Sequence, residues 1–216
     1  MKRLEACLEF IKGHDFLIDV GSDHAYLPIM AIEKNYVSRA IASDVNLGPV
    51  NNAKKNIKDL NLDNKIEVLK YDGIPPNDCD VLNISGMGGE LMVKILDSTL
   101  KNAKNLKSIV LAPNTDCYLV RKYLSQNGYR IVDENIIFYR HYYEIIKFEK
   151  GSASYSQDEL YLGPILMKKR SNVFIEKYTK LLNHLENIKK NINDSLRLSE
   201  INNEIDIIKN NLKDLL

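Results

Sequence analysis

Five short apolar runs, Phe16–Val20, Ala40–Ser43, Ile66–Lys70, Val81–Ile84 and Ser108–Leu111, punctuate the first half of the chain. Between them lie longer stretches, such as Val50–Leu60 and Glu90–Leu100, with helical spacing and length. Such alternation is the signature of a parallel sheet wrapped by crossover helices. Met1–Gly13 has an amphipathic helical pattern, and Asp116–Asn127 reads as a further helix. The order then changes. Arg130–Phe138 and Tyr142–Phe148 are strand patterns separated by too few residues for a parallel crossover, so they must pair as an antiparallel hairpin.

Gly151–Asp158 is small and polar, a linker pattern. Beyond it Phe174, Tyr178, Leu181, Leu185, Ile188 and Ile192 are spaced alternately four and three apart. Leu198, Ile201, Ile205, Ile208, Leu212 and Leu215 repeat that seam. This predicts a C-terminal antiparallel helical hairpin, a short coiled coil. Two domains are expected: 1–150, which holds the sheet, and 151–216, a linker with the helical hairpin.

Thirty basic against 29 acidic residues leave a formal charge of +1, so any nucleic acid has to be held by a local surface. Lys168, Lys169, Arg170, Lys177, Lys180, Lys189 and Lys190 concentrate such a surface on the first helix of the hairpin. A solvated helix face has the same composition. Cys7, Cys79 and Cys117 are odd in number and far apart, which suits a reducing cytoplasm better than a disulfide framework. No apolar stretch approaches the roughly 20 residues of a membrane span. A cytoplasmic monomer is expected.

The chemistry gathers at strand ends. The first strand runs into Asp19-Val20-Gly21-Ser22-Asp23-His24-Ala25-Tyr26-Leu27-Pro28. Gly21 lets backbone approach a ligand closely, and the small Ser22 keeps that approach open. Only Gly21 of the three glycines of a dinucleotide fingerprint is present, and Asp23 would repel a pyrophosphate. S-adenosylmethionine has no phosphate and carries an ammonium and a sulfonium, which acids such as Asp19 and Asp23 suit. Asp44 closes the second strand where such folds place a carboxylate on the ribose hydroxyls, and Asp72-Gly73 closes the third, where an adenine edge can be met. The fourth strand leads into Ser85-Gly86-Met87-Gly88-Gly89, the loop that flanks the reactive methyl in this fold. These features fit a Rossmann-like class I methyltransferase. Neither the [Asp/Asn]-Pro-Pro-[Tyr/Phe] run of an exocyclic amine methylase nor the Pro-Cys of a pyrimidine C5 methylase occurs in that loop.

DVGSDHAYLP at Asp19–Pro28, SGMGG at Ser85–Gly89, Pro113-Asn114 and Leu162-Gly163-Pro164 before the helical hairpin together resemble the bacterial tRNA (adenine(22)-N1)-methyltransferase family. The resemblance covers nearly the whole chain. It implies methyl transfer from S-adenosylmethionine to N1 of an adenine at position 22, in the D-arm region of tRNA. It also implies that Asp23 accepts from the N6 amine, with His24 and Tyr26 stacking on or hydrogen-bonding the base. His24 is equally readable as a cap of the following helix. Asn114 offers a donor and an acceptor from the crevice wall. No metal is expected, because Asp19, Asp23 and His24 share one turn without a further ligand at suitable spacing. The alternatives are a small-molecule methyltransferase with the hairpin as lid or dimerisation element, and a non-catalytic RNA-binding or cofactor-sensing protein.

Overall fold

The computed structural model describes residues 2–213, so the seam residue Leu215 lies outside the described residues. In chain order the main elements are α1 (Lys2–Ile11), β1 (Phe16–Val20), α2 (Tyr26–Glu33), β2 (Arg39–Asp44), α3 (Leu47–Asp59) and β3 (Ile66–Lys70). There follow β4 (Asn77–Asp78), β5 (Val81–Ser85), α4 (Gly89–Thr99), β6 (Ala103–Lys104), β7 (Ser108–Ala112) and α5 (Cys117–Gln126). The chain continues through β8 (Tyr129–Tyr139), β9 (His141–Lys150), α6 (Gln157–Leu162), α7 (Pro164–Lys169), α8 (Asn172–Lys189) and α9 (Ser195–Leu212).

Seven strands form one sheet in the order β3-β2-β1-β5-β7-β9-β8, while β4 and β6 make a separate pair. The first five are parallel, and β9 runs antiparallel to both β7 and β8. All of β1 and β7 is buried, as a parallel sheet covered on both faces requires. One apolar layer joins the sheet to α1, α2 and α3 through Cys7, Leu8, Ile11, Ile29 and Ile57. The opposite layer packs α4 and α5 through Met92, Leu96, Val120 and Leu124. The strand order reverses between β1 and β5, where open α/β sheets leave a crevice at their carboxyl edge.

The C-terminal seam is present but has company. Phe174, Tyr178, Leu182 and Leu185 of α8 and Ile201, Ile205, Ile208 and Leu212 of α9 form one cluster with Ile136 of β8. Leu181, Ile188 and Ile192 are only partly buried against it. The expected linker ends inside α6, which Ser156 caps: its hydroxyl accepts from the Glu159 amide at 3.2 Å, and Glu159 Oε2 accepts from the Ser156 amide at 2.9 Å.

The expected basic helix requires correction. Arg170 takes a left-handed conformation, φ +44°, which breaks the segment into α7 and α8, and the Ser171 hydroxyl then caps α8. Lys168 and Lys169 therefore end α7, Arg170 lies in the turn, Lys177, Lys180 and Lys189 ride on α8, and Lys190 is its C-cap.

Beneath these helices lies a buried ionic network. Arg121 of α5, fully enclosed, donates through Nε to Glu134 Oε1 at 2.8 Å and through Nη2 to Glu144. Its Nη1 reaches the Leu160 and Tyr161 carbonyls, while Glu134 Oε2 accepts from the Ile165 amide at 2.8 Å. Glu144 also holds Lys177 and the Tyr178 hydroxyl. Burial pushes the Glu144 carboxyl up, but Lys177 and Arg121 outweigh it and hold the group down at about 2.

Candidate active site

The crevice at the carboxyl edge of β1 and β5 contains most of the motif residues. Asp19 is 5% exposed and faces Asn83 of β5, whose Nδ2 donates to Asp19 Oδ1 at 2.7 Å. Burial pushes the Asp19 carboxyl up to about 6 against the pull of the Ser22 and Asn83 donors. Asn83 was invisible to motif reading, because an Asn inside an apolar strand signals nothing until register sets it opposite Asp19.

The turn after β1 is pinned from the neighbouring strand: the Gly21 and Ser22 amides both donate to the Ser43 carbonyl, at 2.8 and 2.9 Å. Gly21 has φ +75°, and a Cβ there would stand 2.1 Å from Met87 Cε, so Met87 lies directly over the glycine. Asp23, His24 and Tyr26 follow as a partly exposed cluster. His24 Nε2 is 3.4 Å from Asp23 Oδ2, and its ring stacks on Tyr26 with centroids 5.0 Å apart. His24 does not cap α2. That position belongs to Ala25, in a left-handed conformation without a side-chain cap.

A cleft of about 240 Å³ joins Asp19, Gly21, Ser22, Asp23, His24 and Tyr26 to Ser85 and to Arg3 of α1. Arg3 is a second residue that sequence reasoning missed. Its Nη1 donates to Asn114 Oδ1 at 3.2 Å, which places the amphipathic first helix at the site wall.

The loop at residues 85–89 and the segment at residues 113–116 form one unit. The Asn114 amide donates to the Met87 carbonyl at 2.8 Å, and its Nδ2 donates to the Gly86 carbonyl at 2.7 Å. Gly89 donates to the Thr115 carbonyl, and a Cβ on Gly89 would be 2.4 Å from the Asp116 carbonyl oxygen. Gly86, φ +85°, makes room for the Arg3 guanidinium, while Gly88 pairs with Thr115 and caps α4. These glycines thus serve the close approach of two loops that together hold Asn114.

Farther along the edge, Asp44 Oδ1 accepts from the Asn46 amide at 2.8 Å, and among the described residues Oδ2 takes no hydrogen bond. Asp72 is exposed at the end of β3. Gly73, φ +94°, is packed under Thr99, so its conformation is explained by that contact.

The seven basic residues are elsewhere and mostly engaged. Lys169 binds Asp133 and the Glu134 carbonyl, Arg170 donates to the Asn211 carbonyl, and Lys177 belongs to the Glu144 network. Lys180 pairs with Glu176 and Lys190 with Asn187. Among the described residues no cluster of three or more His, Cys, Asp or Glu is placed to hold a metal ion, and no helix is long and apolar enough to cross a membrane.

A 3-2-1-5-7-9-8 sheet with an antiparallel end, and an acid-lined crevice at its switch point, define a Rossmann-like class I methyltransferase. The sequence profile of the tRNA (adenine(22)-N(1))-methyltransferases matches residues 17–214. The chain belongs to that family. It is 30% identical to the tRNA (adenine(22)-N(1))-methyltransferase of Bacillus subtilis, over 96% of this chain and 94% of the relative. Among solved structures, a Streptococcus pneumoniae chain in complex with S-adenosyl-L-methionine is 34% identical with TM-score 0.91, covering 98% of this chain and 99% of that one. An M. capricolum relative in complex with S-adenosyl-homocysteine is 25% identical with TM-score 0.88, covering 100% of this chain and 99% of that one.

Proposed function

We propose that this protein transfers a methyl group from S-adenosylmethionine to N1 of adenine 22 in tRNA. The observation that carries this reading is the acid-lined cleft at the Gly21 turn, with Asp19 and Asp23 in its wall and Asp44 at the end of the adjacent strand β2. Such carboxylates suit a cationic donor and repel a nucleotide phosphate. The donor supplies an electrophilic methyl on a sulfonium. Gly21 and Ser22 would give it close backbone approach, Asp44 Oδ2 would accept from its ribose, Asp72 would serve its adenine end, and Gly86, Met87 and Gly88 would line its methyl side. Arg3, which lines the same cleft, would supply the cation for the donor's carboxylate.

N1 of adenine has an in-plane lone pair and no proton to lose, so alignment is the main demand on the protein. Asp23 accepts from the N6 amine and stabilises the cationic product, while Asn114 and the His24–Tyr26 stack hold the base. Because N1 lies on the Watson–Crick edge, the target must leave its pairing or stacking before it can enter. Residues 1–150 form the methyltransferase domain, and residues 151–216 present Lys168, Lys189 and Lys190 to phosphates in a cytoplasmic, monomeric enzyme. Lys177, held by Glu144, is assigned to the fold instead.

Incubation with unmodified tRNA and labelled donor, followed by nucleoside mass spectrometry, tests the reading. It expects label in 1-methyladenosine, with ribonuclease fragments of the labelled tRNA placing it at position 22. Label confined to small metabolites, or donor binding without transfer, would refute it.

A further inference from the structure

The last contact between β7 and β9 pairs Leu111 with Ile146, yet β9 begins five residues earlier, at His141. The β8–β9 ribbon therefore overhangs the carboxyl edge of the sheet by about 17 Å, on the side where the crevice opens. Beyond the sheet the ribbon packs on α1 and α8, with Ile137 and Tyr143 partly buried against the core and Lys180 over Phe138 and Tyr142, while its outermost residues stay open to solvent. Its tip is nevertheless aromatic: Phe138 is 47% and Tyr139 41% exposed, Arg140 turns the chain at φ +62°, and His141, Tyr142 and Tyr143 follow. Period-two alternation puts Tyr139, His141 and Tyr143 on one face. Two cations of α1 flank that face. Lys2 Nζ lies 5.9 Å from the Tyr139 ring centroid, and Arg3 Cζ lies 5.4 Å from that of Tyr143. The same Arg3 donates to Asn114, so the aromatic face is continuous with the wall of the active site.

We infer that the face formed by Tyr139, His141, Tyr143 and Lys2, joined to the active-site wall through Arg3, holds unpaired RNA nucleotides adjoining the target adenine. The inference rests on the proposed function and adds a substrate-positioning surface to it. Exposed Tyr139 and His141 beside partly buried Tyr143 and the Lys2 cation suit single-stranded RNA in particular, since rings stack on splayed bases while a cation meets a phosphate between them. A target base drawn out of its stack leaves its neighbours unstacked, and such a platform takes them up.

The double variant Tyr139→Ala/His141→Ala tests this, beside Tyr139→Phe/His141→Phe, which keeps the rings. For the alanine pair we expect KM for tRNA to rise at least 10-fold, with kcat within about threefold, S-adenosylhomocysteine affinity by calorimetry unchanged and Tm unchanged. The phenylalanine pair should retain near wild-type KM. Ultraviolet crosslinking of wild-type protein to tRNA, with peptide mass spectrometry, gives a readout independent of folding and should place adducts within residues 138–143. An unchanged KM in the alanine pair, or adducts confined to other segments, overturns the inference while wild-type methylation still supports the assigned reaction. A wild-type protein that leaves tRNA unmethylated refutes that reaction itself.

Discussion

Asn83 and Asp19 meet at 2.7 Å across the point where the sheet reverses its strand order, and both are buried there, burial outweighing the pull of the nearby Arg3 on the carboxyl. A carboxyl held at about 6 in such a place is costly to ionise. Because this pKa lies above its ordinary value of 3.8, the cost is absent below about pH 4 and complete above about pH 6. Asp19→Asn should therefore raise the stability of the cofactor-free protein at pH 7.5 by roughly 2–3 kcal/mol, read by urea denaturation. The same variant should bind S-adenosylhomocysteine at least tenfold more weakly by calorimetry. A gain in stability with unaltered affinity would remove Asp19 from the donor site.

Asp23 is set apart from Asp19 by exposure, its side chain being 61% accessible at the mouth of the cleft. Asp23→Ala should lower kcat by roughly 10²-fold, the scale of losing one electrostatic contact to developing charge, with donor affinity altered less than fivefold. Equal loss of binding and turnover would move Asp23 to the donor side.

The Glu144 carboxylate links α8 to α5, and replacing it leaves Arg121 and Lys177 short of a partner in a closed space. Glu144→Gln should destabilise the protein by roughly 3–5 kcal/mol, measured by urea unfolding at pH 7.5. Since this pKa is depressed from 4.5 to about 2, its contribution is fully present above about pH 4.5 and fades as pH falls through 2. The difference between wild type and variant should accordingly shrink in strong acid. A constant difference would mean that the charge is not the source.

Removing residues 151–216 strips the Leu160 and Tyr161 carbonyls from Arg121, the Ile165 amide from Glu134, and Lys177 and Tyr178 from Glu144. The shortened chain should melt roughly 10 °C or more below the full one in a thermal scan. Equal melting temperatures would establish that residues 1–150 stand alone.

Methyl transfer should proceed undiminished in excess EDTA. Loss of activity that added zinc restores would overturn the metal-free mechanism, in which N1 needs no Lewis acid.

The hydrophobic pattern foretold the sheet closely, because the inner parallel strands β1, β2, β5 and β7 are largely buried on both faces and read as short apolar runs, whereas the edge strand β3 is buried mainly at Ile66. The hairpin was legible from its short connection. The break between α7 and α8 was not, because Arg170 adopts its left-handed φ without the glycine that would announce it. The motif glycines were found, but several for a different reason: Gly86 yields to Arg3, Gly89 to Asp116 and Gly73 to Thr99. Gly163 belongs with them, since a Cβ there would stand 2.7 Å from Arg121 Nη2 and 2.8 Å from Glu134 Oε1. Arg3 and Asn83 escaped notice because their significance comes only from partners more than sixty positions away.

The enclosed Arg121 network also sets a rule for grafting. A chimera that takes its last three helices from a relative would bring its own counterpart of Lys177 but leave positions 121, 134 and 144 behind in the recipient. Only exchanges that move those three side chains together with the transplanted helices keep every charge at the seam matched.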